Sequence, residues 1–197
     1  MSKTLTDKGI KAAAEAAGLD PAALKAIDEV ESRGAGFLPD GQPKILFEGH
    51  IFWKQLIVRG IEPAGAASGH EDILFPTWDR TKYGPESAQH SRLQRAAVID
   101  REAALCSASW GRFQVMGFNW RVCGFQSLQA FINAMYRDEA EHLAACLGYI
   151  KGTGLMPALQ RRDWAAFAKG YNGPACAANN YEVKLARAHA EAKEKGW

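Results

Sequence analysis

The chain has 197 residues, 47% hydrophobic and 23% charged, with a net charge of +2. That length and composition suit a single globular domain over residues 1–197 with one core. The mild charge argues against a nucleic-acid partner, no apolar run approaches the ~20 residues of a membrane span, and Cys106, Cys123, Cys146 and Cys176 lack the pairing of a metal or redox motif and read as reduced thiols.

Helix signals dominate the chain. Residues 7–17 are Ala-rich and stop before Gly18. "LDPAALKAIDEVES" opens with Asp20 as N-cap and Pro21 at the first helical position. "RGAGFLPDGQPKILFE" is rich in Gly and Pro and predicts extended chain or a small hairpin turning at Pro39-Asp40-Gly41. "GHIFWKQLIVRG" is helical again and stopped by Gly60. Residues 60–85 form a long irregular stretch, which in a compact domain signals function or ordering by a partner. Helical spacing returns over 86–106, and "SASWGRFQVMGFN" is too broken for a long helix and predicts a tight turn. The longest helical pattern runs over 127–152, with shorter helices near 162–170 and 179–194. The expected fold is mostly α with a small extended or β lobe near 36–47, after the helix that carries Glu31.

Glu31 stands out by placement. Wound at about 100° per residue, Leu24, Ile27 and Val30 fall at roughly 0°, −60° and −120°, and Glu31 at roughly −20°, inside the apolar stripe. Asp28 and Glu29 fall at or beyond its edge. A carboxylate held against apolar surface resists ionisation, and a raised pKa suits a group that delivers a proton near neutral pH. The alternative is a side chain that bends to solvent at the helix end or pairs with Arg33. Glu48 follows Ile45-Leu46-Phe47, and a fold-back through Pro39-Asp40-Gly41 would set it across a cleft from Glu31. Equally, Glu48 is placed to cap the helix that follows.

Three motifs occur in order: "EVESRG", "SASWGRFQVMGFN" with Gly111 and Gln114, and "FAKGYNGP" with Tyr171 and Asn172. Together they resemble the lysozyme-like superfamily of goose-type lysozymes and soluble lytic transglycosylases. With "ILFEGHIFW" and "FPTWDRTKYG" added, the chain resembles the N-acetylmuramidases of phage endolysins, from about Leu24 to Tyr181. The resemblance implies a lysozyme-like fold and cleavage of peptidoglycan glycan between N-acetylmuramic acid and N-acetylglucosamine. It implicates Glu31, as general acid, and Glu48 in catalysis; glycoside cleavage generally uses two flanking carboxylates, ~5 Å apart for a nucleophile and ~6.5–9.5 Å for a water-activating base. It places Gln114 along the glycan groove and the Tyr171-Asn172 pair beside the catalytic glutamate.

A Tyr171 hydroxyl near Glu31 would hold the carboxyl in place, or else Tyr171 is a core aromatic. Ser109 is a candidate substrate-binding residue in the glycan groove, and Ser109 and Ser32 suit structural hydrogen bonds rather than nucleophilic roles. Trp53, Trp78, Tyr83, Trp110 and Trp120 are candidate sugar-stacking rings; Trp78 and Tyr83, in the irregular stretch, are favoured as groove walls, and Trp53 as core. The histidines are scattered, so neither metal nor cofactor is expected. The C-terminal stretch reads as a surface helix with ordinary charge pairs. The expected partner is the peptidoglycan glycan strand, without nucleic acid or stable membrane insertion, and the protein is expected to be a monomer. The first residues lack a secretory signal, so synthesis in a bacterial cytoplasm followed by wall attack at lysis is expected, with no separate wall-binding module. The rival expectations are a lytic transglycosylase, which leaves an anhydro sugar, a catalytically inactive wall-binding or tail-associated protein, and a chitinase.

Overall fold

The structure is a computed structural model that describes residues 3–32, 34–173 and 180–197. Arg33, Cys176 and the Pro174 of the Gly-Pro stop lie outside the described residues, and with Arg33 its alternative pairing to Glu31. Helix α1 (Asp7–Ala16) leads into α2 (Pro21–Glu31), whose N-cap Asp20 accepts from the Ala22 N–H at 3.1 Å. Strand β1 (Ile45–Phe47), α3 (Gly49–Val58) and the short α4 (Pro63–Ala67) follow. Next come α5 (Gln89–Ile99), α6 (Arg101–Cys106), β2 (Ala108–Trp110) and β3 (Val115–Met116). The chain closes with α7 (Leu128–Arg137), α8 (Glu139–Gly152), α9 (Met156–Gln160), α10 (Trp164–Asn172) and α11 (Tyr181–Glu194).

The mostly α expectation holds, with refinements that each have a local cause. The pattern over 127–152 breaks in two at Asp138, whose extended backbone (φ −164°, ψ 172°) ends α7 and whose side chain caps α8 through the Glu141 N–H at 3.0 Å. Asp100 does the same between α5 and α6, accepting from the Ala103 N–H at 2.8 Å. A short polar side chain that competes for the backbone stops one helix and starts the next. The hairpin at 36–44 forms, with a Phe37–Pro43 bridge and the Lys44 N–H donating to the Gly36 carbonyl at 2.8 Å. The β lobe is larger than expected: β1, β2 and β3 make an antiparallel sheet in that order, pairing Leu46 with Ser109 and Ser109 with Met116. The segment predicted as a turn therefore supplies two strands.

The long stretch over 60–85 is tied down by buried Ile73, Leu74 and Phe75 and by a bidentate Asp72–Arg95 pair at 2.7 and 2.8 Å. Gly49 is needed where this stretch meets the start of α3, because a Cβ there would lie 2.4 Å from the Phe75 ring. One contiguous core holds Leu24 and Ile27 of α2, Phe47 and Phe52, Trp110, Phe131, Met135 and Phe167. Trp110 is thus a core ring, not a sugar platform; it is 1% exposed and its indole N–H donates to the Leu105 carbonyl at 3.2 Å. Trp53 and Trp120 pack on the core edge. Helix α2 is buried more widely than one stripe, at Ala22, Ala23, Leu24, Ala26, Ile27 and Asp28, since α1 and α11 pack on it from different sides. Asp28 is inside rather than at the edge.

Candidate active site

Helix α2 ends at Glu31, where Ser32 turns to extended backbone (φ −77°, ψ 140°). The carboxyl is therefore delivered from the last turn of a buried helix into a cleft of about 270 Å³. The walls come from the ends of other elements: Gln114 and Met116 from the β2–β3 turn and β3, Tyr149 from α8, and Tyr171 and Asn172 from α10. Glu31 is the one carboxylate among the described residues that line this cleft.

Burial holds the Glu31 carboxyl above its ordinary range, and the Asn172 hydrogen bond and the Lys184 charge oppose that rise without cancelling it. The Asn172 side-chain N–H donates to Glu31 Oε1 at 3.0 Å. The residue that holds the carboxyl is therefore Asn172, not Tyr171. The Tyr171 hydroxyl meets Cys146 Sγ at 3.3 Å, and its ring stacks on Phe167 with centroids 5.4 Å apart. Tyr171 is a wall with a satisfied hydroxyl. Burial pushes the Cys146 thiol up to about 12, so it stays protonated behind that wall.

Gln114 adopts a left-handed backbone (φ +51°), sparsely populated for a residue with a side chain. Its amide over-determines that geometry: Oε1 accepts from Ser109 Oγ at 2.8 Å and Nε2 donates to the Gly111 carbonyl at 2.8 Å. Ser109 is 5% exposed, so it braces Gln114 from behind and does not line the cleft. Gln114 also borders a second, smaller hollow lined by Lys44, Ile45 and Leu46.

Glu48 sits at the end of that strand. It occupies the N-cap position of α3 but makes no side-chain cap bond. Its Oε2 instead accepts from the Tyr83 hydroxyl at 2.9 Å, and His50 Nδ1 lies 3.2 Å from the same hydroxyl. Burial pushes the His50 imidazole below its ordinary range despite the nearby Glu48 charge. Glu48 does not line the Glu31 cleft. Lys44, Leu46 and Glu48 are each half-buried between buried neighbours, so Glu48 continues the more open side of β1. Tyr83 is engaged with Glu48, and Trp78, 63% exposed, lies beside it with ring centroids 6.4 Å apart.

The structure thus gathers Glu31, Gln114, Tyr171 and Asn172 in one cleft, puts Ser109 behind it, and collects Glu48, Tyr83 and Trp78 in a neighbouring cluster. Phe113, Asn119, Tyr149 and Tyr181 also line the cleft and carried no sequence signal, since each lies where its own element shows only a helix end or a turn. Among the described residues, no three His, Cys, Asp or Glu side chains converge as a metal site would need.

Residues 20–193 match the family model of the N-acetylmuramidases. The crystal structure of the Burkholderia AP3 phage endolysin superposes with a TM-score of 0.91 at 39% identity, over 98% of this chain and 73% of that one. No curated protein matches at a significant level. The ordered motifs, the mostly α lysozyme-like fold and these matches agree: the chain belongs to the N-acetylmuramidase family.

Proposed function

We propose that the protein is a peptidoglycan hydrolase that cleaves the glycan strand between N-acetylmuramic acid and N-acetylglucosamine, with Glu31 as general acid. The observation that supports it most is the half-buried Glu31 carboxyl, kept reluctant to ionise and oriented by Asn172 at the wall of an open cleft. The Glu31 proton passes to the leaving glycosidic oxygen as the C1–O bond breaks. Positive charge develops on the sugar ring, and water then adds to C1. Glu48 is the proposed acceptor of the water proton, or a counter-charge for the oxocarbenium-like transition state. Gln114, Tyr171, Asn172, Trp78 and Tyr83 are proposed to contact the glycan, with Ser109 holding Gln114. The setting we propose is phage lysis, with enzyme made inside the host reaching the wall once the inner membrane opens; among the described residues no helix is long and apolar enough to cross a membrane.

A second reading draws on Glu48 lying outside the Glu31 cleft and bonding to Tyr83. A single acid/base glutamate is what a lytic transglycosylase needs, with the muramic acid's own hydroxyl adding to C1 in place of water. Mass spectrometry of digested peptidoglycan separates the two: reducing muramic ends support hydrolysis, and anhydro ends overturn it in favour of transglycosylation. The same digestion with Glu31→Gln and Glu48→Gln assigns the carboxylates.

A further inference from the structure

One long side chain of the β2–β3 turn points away from the cleft. Arg112 Nε and Nη2 donate to the two carboxylate oxygens of Asp28 at 2.6 and 3.1 Å. Its Nη1 donates to the Gly34 carbonyl at 2.8 Å and reaches Glu139 Oε2 at 3.4 Å. The Arg112 backbone N–H donates to His142 Nδ1 at 3.0 Å, and His142 Nε2 meets the Met135 carbonyl at 2.8 Å. Asp28, Glu139 and His142 are at most 3% exposed. Glu139 also accepts from the Gly36 N–H at 2.5 Å and the Leu5 N–H at 2.8 Å, so the segment that leaves α2 is tied to the same hub.

These partners have a particular order along the chain. Asp28 lies one helical turn before Glu31, and Gly34 three residues after it. Arg112 lies two residues before Gln114, in a turn whose ends are locked by the Ser109 and Gly111 hydrogen bonds. There is no slack around the hub: a Cβ at either Gly36 or Gly111 would come within 2.6 Å of His142 Nδ1. One guanidinium therefore joins the helix carrying Glu31 to the turn carrying the opposite wall.

We propose that Arg112 is a positioning residue, and that its two-pronged grip on Asp28 sets the gap between the Glu31 carboxyl and Gln114. This rests on Glu31 being the acid. A planar fork fixes both distance and direction to a carboxylate, whereas an ammonium at the same place supplies charge without direction. The glycosidic oxygen must sit within hydrogen-bond reach of Glu31 while the strand lies against Gln114, so a small drift of the turn separates binding from proton transfer.

The test compares Arg112→Lys, Asp28→Asn and Glu31→Gln on soluble peptidoglycan glycan fragments, with initial rates and thermal melts for each. Arg112→Lys is expected to melt cooperatively and to keep KM within about twofold, while kcat falls about 10- to 100-fold, the cost of an ångström-scale misplacement. Asp28→Asn is expected to lower kcat in the same way, and the two changes together to cost little more than one. Should Arg112→Lys not fold, Asp28→Asn, which leaves Arg112 with Glu139 and the Gly34 carbonyl, carries the test. Wild-type kcat in either folded variant, or a loss confined to KM, overturns the proposal while a dead Glu31→Gln keeps the acid assignment. Full turnover in Glu31→Gln overturns both.

Discussion

Replacing Glu31 by Gln exchanges a carboxyl for an amide of nearly the same shape. Asn172 can still donate to the amide oxygen, so orientation survives while the transferable proton is lost. No other carboxylate or histidine among the described residues lines the cleft, and the Tyr149 and Tyr171 hydroxyls are pushed up by burial and hold their protons. The whole general-acid contribution should therefore vanish, about 10²- to 10⁴-fold in turnover, or roughly 3–5 kcal/mol at 1.36 kcal/mol per decade. Stability should move the other way. Burial raises the Glu31 pKa in the folded state, so the native protein favours the protonated form, and ionising the group costs stability. That cost is absent below about pH 4, where the carboxyl is protonated in both states, and grows as pH rises through the folded value. Melting curves of wild type and Glu31→Gln at pH 4 and pH 8 read it directly, since pH effects common to both proteins cancel. The variant should melt above wild type at pH 8, with the gap closing at pH 4. A variant that is inactive but equally or less stable at pH 8 would refute the desolvated-acid account, and an active variant would refute the acid itself.

Asp20→Ala removes the cap of α2 and the partner of His189 Nε2 at 2.9 Å; about 1–3 kcal/mol should be lost, lowering Tm by about 2–10 °C. Burial pushes the Asp20 carboxyl up, but the His189 and Ala22 hydrogen bonds and the Lys193 charge outweigh it and hold it below its ordinary range. Its stabilisation is thus present above about pH 4 and lost as pH falls through the lower folded value, so the two melting curves should converge in acid. Gly111→Ala combines a left-handed backbone (φ +69°) with a Cβ 2.6 Å from His142, and should cost at least about 2 kcal/mol by chemical denaturation. Tyr83→Phe removes the donor to Glu48; if Glu48 works in the reaction, the rate should fall about 10- to 100-fold, with at least about 1 kcal/mol of coupling to Glu48→Gln. Strict additivity in that cycle would argue that Tyr83 and Glu48 act separately.

Sequence alone determined what is local. Asp20-Pro21 started α2 because a capping carboxylate and a pre-set φ act within one turn. The helical winding of that segment is local too, because 3.6 residues per turn needs no tertiary information, but the single apolar stripe read from it is not, since α2 is buried on more than one side. Tertiary structure decided what depends on partners distant in the chain. Asp28 reads as an edge residue until Arg112, far along the sequence, enters to pair with it. Asn172 rather than Tyr171 holds Glu31, because the Tyr171 hydroxyl is already satisfied by Cys146. Glu48 turned from the helix it precedes toward Tyr83 of the long loop. A polar side chain takes its strongest available partner, and packing of the whole chain settles which partners come within reach.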